Sequence, residues 1–296
     1  MLNLNKLDRK LILLAGPTAS GKSKLAIAIA KKIKGEIINA DSMQIYKELS
    51  ILSSRPLKKD LKKINHHLYG IISVKKHFSA GDWLKLVKKK IIECKKNNKI
   101  PIIVGGTGLY FNTITSGISK IPKIDKKTRN EVRELHKFLG PKLFYDRLTN
   151  IDPKIKNKIL SSDTQRVLRA YEVKIKTKKS IYEWSLNTKS EFKKYDIRNI
   201  FLDIPRENLL KKIIYRTNAM IKKECIDEVK FFLNLKIDGS LSANKLIGVK
   251  ELNDHLKGQI SLEEAKKQII IRTRQYAKRQ NTWARGHMKN WNKLYS

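Results

Sequence analysis

Cysteine is nearly absent: Cys94 and Cys225 are the only two in 296 residues. They stand far apart and in no CxxC spacing, which excludes a disulfide framework and a zinc site of that kind. Long apolar runs are missing too. The longest, Leu11 to Ala15 and Ala26 to Ala30, fall far short of the roughly 20 residues that cross a bilayer. Lys6, Arg9 and Lys10 ahead of Leu11 imitate a signal peptide, but the apolar stretch is too short and no small-residue cleavage site follows, so the expected location is the cytoplasm. The six histidines include no pair at the helical spacing of metal ligands. Negative charge is scarce, with 27 acidic residues against 65 basic ones and a net charge of +38. That imbalance points to a polyanion such as nucleic acid. A lysine-, isoleucine- and asparagine-rich composition accounts for the same excess without any partner. With 41% hydrophobic and 31% charged residues, the chain is a folded one, long enough for one large domain or two unequal ones.

The first hundred residues alternate short apolar runs with amphipathic stretches, the pattern of a parallel-sheet α/β unit. Strands are expected at Leu11 to Leu14, Glu36 to Ala40 and Ile100 to Val104, with helices at Lys22 to Lys34 and Ala80 to Lys99. In the second helix Trp83, Val87, Ile91 and Cys94 share one face. From Ile121 to Leu186 the pattern reads as several short helices, with Asp152-Pro153 as a cap and first-turn proline. One strand signal returns at Ile197 to Ile204. The expected architecture is a P-loop α/β core over residues 1–120 and 197–296, interrupted by an all-helical insertion at 121–196. No internal repeat or low-complexity linker is visible.

Gly16-Pro17-Thr18-Ala19-Ser20-Gly21-Lys22-Ser23 satisfies GxxxxGK[ST] between an apolar strand and an amphipathic helix, which is the context that gives the motif meaning. The glycines let several N–H groups converge on one anion, and the helix N-terminus adds partial positive charge. Lys22 supplies a full charge, and Ser23 offers a hydroxyl to Mg²⁺. The motif specifies phosphate and leaves a nucleotide and a diphosphate ester equally open. Asp41 ends the second strand, where open α/β sheets gather their sites. It is open to three roles: general base, Mg²⁺ ligand or turn cap. Asp203 is a second strand-end carboxylate. Gly105-Gly106-Thr107-Gly108 follows the third strand, either as a plain turn or as a point of close approach with Thr107 as its hydroxyl.

Taken with Asp41-Ser42, Gly105 to Tyr110, Asp163 to Arg169 and Thr273 to Trp283, this loop resembles the tRNA dimethylallyltransferase family, in the same order and over almost the whole chain. The resemblance implies transfer of a dimethylallyl group from dimethylallyl diphosphate to N6 of the adenosine just 3′ of the anticodon, without ATP. It implies that Asp41 is the base, with Thr107 and Lys22 beside the reaction. Gly16, Pro17, Thr18, Ala19, Ser20, Gly21, Lys22, Ser23 and Arg216 would hold the diphosphate, with Mg²⁺ on Ser23. Asp41, Ser42, Met43, Gln44, Thr107, Arg129, Gln165, Arg166, Val167, Leu168 and Arg169 would meet tRNA. No obligate protein partner is expected, and the chain is expected to act as a monomer.

On the insertion's helix, Gln165, Arg166 and Arg169 are expected to oppose a packed face of Val167, Leu168, Tyr171 and Ile175. The last helix opens with a capping box, Ser261 and Glu264, and interleaves Arg272, Arg274, Lys278 and Arg279 with Tyr276 and Trp283. The two aromatics read as core positions and the basic residues as contacts to RNA or phosphate. Several family positions depart: Leu52-Ser53 stands where a glycine-threonine pair is usual, with Arg55 for lysine before Pro56, and Gly248-Val249 lacks the aromatic ring that usually follows the glycine. Three rivals share the features: a small-molecule P-loop kinase, an enzyme that prenylates free adenine nucleotides, and a non-catalytic RNA-binding protein.

Overall fold

The computed structural model describes residues 10–295; Lys6 and Arg9 lie outside them. Among the described residues six strands form one sheet: β1 (Leu11–Ala15), β2 (Gly35–Asn39), β3 (His66–His67), β4 (Ile100–Gly105), β5 (Ile197–Asp203) and β6 (Asn292–Tyr295). Their order is β3-β2-β4-β1-β5-β6, and every pairing is parallel. A parallel sheet covered on both faces needs strands that are apolar throughout, and β1, β2 and β4 are buried at every position. Leu11, Leu13 and Ala15 face one core, while Ile12 and Leu14 face another with Ala26, Ile29 and Ala30. Ala15 pairs with Gly105, and Asn39 with Val104. The ends of three strands are therefore level, and the loops that leave them emerge at one edge of the sheet.

Helix α1 (Lys22–Lys32) stops short of Lys34, whose φ of 52° turns the chain into β2. After the single turn of α2 (Lys58–Leu61), α3 (Ala80–Lys96) begins with a reciprocal capping box between Ser79 and Asp82 and buries Trp83, Leu84, Val87, Ile91 and Cys94. It too ends earlier than its sequence pattern suggests, because Asn98 takes a φ of 53°. The Cys94 thiol donates to Glu36 at 3.4 Å, and the same carboxylate meets His67 at 2.7 Å. Burial, followed by the Glu36 charge, pushes the thiol up to about 12, which leaves it unreactive. Helix α4 (Gly108–Thr115) follows β4 directly.

The chain divides into two compact units, one running up to Thr115 and again from Phe192, the other Ser116–Glu191. The second contains α5 (Lys126–Ile151), α6 (Thr164–Thr177) and α7 (Ile181–Leu186) around Phe144, Leu148, Val167 and Tyr171. The span of α5 is two shorter helices that meet at Gly140, whose non-helical φ of 73° and ψ of 168° before Pro141 interrupt it, in keeping with the expected run of short helices. Pro153 does open a turn, but it is a single 3₁₀ turn and Asp152 makes no capping bond to it. Ile175, expected on the packed face of α6, is 41% exposed, and Glu172 is buried in its place.

Four further helices complete the first unit: α8 (Arg206–Met220), α9 (Lys223–Asn234), α10 (Val249–Leu256) and α11 (Leu262–His287). Ser261 accepts from the Glu264 amide, but the Glu264 carboxylate binds Gln268, so the expected capping box is half formed. Among the described residues no helix is long and apolar enough to cross a membrane.

Candidate active site

The turn after β1 folds tightly enough that a Cβ on Gly16 would lie 3.0 Å from both the Leu202 carbonyl and Ser20 Oγ. Ala19 (φ 63°) and Gly21 (φ 94°) are left-handed, which curls successive N–H groups toward one side. No side chain caps α1, so its first-turn amides and dipole remain for an anion. Ser20 Oγ is buried without a hydrogen-bond partner. Ser23 is exposed in the first turn, and Lys22 folds back to donate to the Pro17 carbonyl at 3.1 Å. Burial lowers Lys22 to about 8; the Asp41 charge opposes that shift and the Arg216 charge adds to it.

Asp41 is held by its neighbour on the strand. Asn39 accepts from the Asp41 amide at 2.8 Å, and its own NH₂ donates to the Asp41 carbonyl at 2.9 Å and the Leu68 carbonyl at 3.0 Å. The Trp83 indole donates to the Asn39 carbonyl at 2.8 Å, which ties the strand end to α3. Asp41 Oδ1 accepts from Met43 N at 2.9 Å, whereas Oδ2 makes no hydrogen bond among the described residues. One carboxylate oxygen thus caps a turn, and the other is available for chemistry. The phenols of Tyr69, Tyr110 and Tyr276 all feel this carboxylate: burial, and then the Asp41 charge, raises each well above the usual phenol range. They stay protonated, as neutral walls. On α8, Arg216 has a buried Nε with no hydrogen-bond partner, and burial lowers it while Asp41 opposes.

Thr107 accepts from the Ser42 amide at 3.0 Å and donates to the Ser42 hydroxyl at 3.3 Å, and its own amide donates to the Ala40 carbonyl at 3.2 Å. The three glycines around it are explained by close approach. A Cβ would lie 2.0 Å from the Ala40 carbonyl at Gly105, 2.2 Å from Gln280 at Gly106 and 2.3 Å from the Trp283 ring at Gly108. Helix α11 is what presses on Gly106 and Gly108. Gln280 accepts from the Thr18 amide at 2.8 Å and donates to the Gly106 carbonyl at 2.9 Å, so it joins the phosphate loop to the threonine loop. Tyr276, one turn earlier, lies beside the side chains of Thr107 and Gln280. Trp283 packs against the main core as expected, whereas Tyr276 does not; both are half-buried and line a cavity of 190 Å³ between these loops and α11.

Residues 44–287 match the family model for IPP transferase. The chain belongs to that family. It is 53% identical to a tRNA dimethylallyltransferase of Pelagibacter ubique, over 96% of this chain and 91% of that one. A tRNA dimethylallyltransferase of Rickettsia felis is 41% identical over 93% and 89%. Among solved structures, the full-length tRNA isopentenylpyrophosphate transferase of Bacillus halodurans superposes with a TM-score of 0.69 at 32% identity, covering 97% of this chain and 90% of that one. A eukaryotic dimethylallyltransferase described as acting on tRNA gives 0.81 at 27% identity, covering 97% and 74%.

Leu52 and Val249, two of the departures from the family's pattern, lie in one core cluster. Leu52 is buried, and a Cβ on Gly248 (φ 106°) would lie 2.5 Å from its Cδ1; Val249, the next residue, is buried in the same core. An apolar pair occupies this spot. Gln44 donates to the Ser53 and Ser54 carbonyls, both at 2.9 Å, and Met43 packs against the core. Asp203 accepts from the amide of Ile204, its own neighbour, at 3.0 Å. In the helical unit Gln165 and Arg166 are exposed, Leu168 is half-buried and Val167 is in the core. There the buried Glu172 holds Arg169 at 3.2 Å and Arg129 at 3.9 Å. On α11, Arg274, Lys278 and Arg279 are exposed, whereas Arg272 is paired with Glu251.

Gln280 is the residue that motif reading passes over. Its signal is its place one helical turn after Tyr276, within the segment that resembles the family.

Proposed function

We propose that the chain transfers a dimethylallyl group from dimethylallyl diphosphate to N6 of the adenosine 3′-adjacent to the anticodon in tRNA, releasing diphosphate. The observation that carries this reading is that Asp41 shares one electrostatic field with Lys22 and Arg216 at the mouth of a phosphate loop. A carboxylate there can also serve a phosphate site as a turn cap or a Mg²⁺ ligand. Asp41 Oδ2, which makes no hydrogen bond among the described residues, suits in addition a site that takes a proton from an amine.

The loop amides, Lys22 and Arg216 bind the diphosphate and stabilise charge as the allylic C–O bond breaks. The N6 nitrogen forms the new bond to that carbon, and its proton passes to Asp41 Oδ2, the oxygen not engaged by Met43. General-base assistance of this kind contributes about 10² to 10⁴-fold. Asn39 and Thr107 keep the carboxylate and its loop in place. The apolar cavity beside Thr107, with Phe111, Phe201 and Trp283 in its wall, excludes water from the reacting carbon. The donors at the loop mouth, the Ser23 hydroxyl and the substrate's phosphates, are all oxygen and suit a hard cation. Mg²⁺ held there supplies charge neutralisation for the leaving group.

The target base must leave its stack, which costs least in a single-stranded loop. The exposed Gln165 and Arg166, the Arg129–Glu172–Arg169 cluster and the +38 charge provide the grip on RNA, and the reading places the enzyme in the cytoplasm with its substrate. Incubation with undermodified tRNA and dimethylallyl diphosphate, with ATP in a parallel reaction, tests the proposal. Nucleoside analysis is expected to resolve isopentenyl-adenosine without ATP. A modified product that requires ATP, or no modified adenosine at all, overturns it.

A further inference from the structure

Helix α9 carries one side chain whose position its own packing does not require. The helix is anchored by Cys225, Val229 and Phe232, all buried. Glu228 instead reaches loop 50–54 and accepts every amide of three consecutive residues. Ser50 donates both its N–H and its hydroxyl to Oε2 at 2.7 Å, Ile51 N–H lies 2.8 Å from Oε2 and 3.0 Å from Oε1, and Leu52 N–H meets Oε1 at 2.9 Å. Short bonds from N–H groups to a charged acceptor are the strong kind. The other side of the same loop presents carbonyls: Ser53 and Ser54 accept from the Gln44 side chain, both at 2.9 Å. Ser54 has a φ of 55° and its hydroxyl contacts Met220 Sδ at 3.4 Å. The loop therefore has three amides fixed by α9 and two carbonyls committed to Gln44. Ser50, Ile51, Ser54 and Arg55 then line a cavity of 800 Å³ that also contains Tyr69 and Arg216, the phenol and the guanidinium coupled to Asp41.

We propose that Glu228 is a positioning residue for the RNA side of the reaction: by fixing loop 50–54 it orients Gln44 and shapes the wall of the cavity that reaches Arg216. This rests on the transfer reaction proposed above. Glu228 touches neither substrate. Its carboxylate acts through the loop, and so its loss shows in recognition of the RNA before it shows in the chemical step.

The experiment compares wild type, Glu228→Gln and Glu228→Asp in steady-state transfer from dimethylallyl diphosphate to undermodified tRNA, with each variant's thermal melting recorded. Glu228→Gln keeps the size of the side chain but turns an NH₂ group toward an N–H. The expected result is a KM for tRNA raised about tenfold, the equivalent of losing one good hydrogen bond, with kcat and the KM for dimethylallyl diphosphate within about twofold. In a Gln44→Ala background the same substitution is expected to add little, because both act on one element. Full additivity of the two, a fall in kcat at unchanged KM for tRNA, or a loss of activity in step with a lowered melting temperature overturns the proposal. So does a Glu228→Gln enzyme indistinguishable from wild type. If the wild type transfers nothing, the reading of function fails first, whereas every other adverse outcome is read on an active wild type and removes the positioning role alone.

Discussion

Gln280 and Thr18 are 262 positions apart in sequence and 2.8 Å apart in the fold, joined side chain to backbone amide. One amide of the phosphate loop is thereby committed to α11 rather than to an anion. On the proposed reading the remaining amides of the loop, the uncapped start of α1 and Lys22 form the cradle. Gln280→Ala leaves the Thr18 N–H and the Gly106 carbonyl unpaired, at a cost of about 1–3 kcal/mol for each buried group left unsatisfied. The expected outcome is a KM for dimethylallyl diphosphate raised about tenfold and a lowered melting temperature. Gln280→Glu, which keeps the acceptor toward Thr18 and loses the donor toward Gly106, is expected to fall between. Steady-state kinetics with a parallel melt checks both.

Asp41→Asn preserves the Asn39 embrace and the shape of the turn, and removes the basic oxygen. Turnover is expected to fall about 10² to 10⁴-fold while tRNA binding, measured by filter retention or gel shift, stays within a few-fold of wild type. Equal turnover in the variant would refute the base assignment.

Lys22 is expected to set an alkaline limb in the pH profile. Its folded value of about 8 lies below the ordinary 10.5, because burial disfavours the charged form. The unfolded chain holds this proton more tightly, so the penalty is full below pH about 8 and is relieved as pH rises toward 10.5. Binding runs the other way: an arriving diphosphate favours the protonated amine. kcat/KM for dimethylallyl diphosphate is expected to fall as pH passes about 8, since that parameter reports the free enzyme. In Lys22→Met the residual activity is expected to lose this limb. A pH series on both proteins, with tRNA saturating, decides it.

Gly108→Ala would place a methyl 2.3 Å from the Trp283 ring, which cannot withdraw while it stacks on His287 at a centroid distance of 4.2 Å. Overpacking of this type costs about 1–3 kcal/mol, and urea denaturation is the measurement. Trp283→Ala in the same chain is expected to relieve the clash and recover part of that loss.

The phosphate loop is legible in the sequence because its signal is local: a strand, a fixed spacing of glycines and a helix lie within about twenty residues. The same holds for Asp41 and Thr107 at strand ends, since the periodicity of β2 and β4 locates them. Two strands are not legible. His66–His67 is only two residues long, and β6 is mostly exposed; each owes its extended form to the neighbour with which it pairs rather than to an apolar run. The break within α5 is legible, since Gly140 and Pro141 signal it and Gly140 is non-helical. Tyr276 and Trp283 have the spacing of core residues, and nothing along α11 alone tells that the surface they face is a cavity. Gln280 and Glu228 are silent for a related reason. Apart from the Ser50 hydroxyl their partners are backbone groups, which leave no trace in side-chain identity.

The tie between Thr18 and Gln280 also orders events in the life of the polypeptide. A ribosome emits residue 18 long before residue 280, so the phosphate loop leaves the exit tunnel without the helix that braces it. Competence for the reaction is thus acquired late, once α11 has been made and has docked. A translation product that terminates ahead of α11 would display the whole GxxxxGK[ST] signature and still lack the brace that joins it to Thr107.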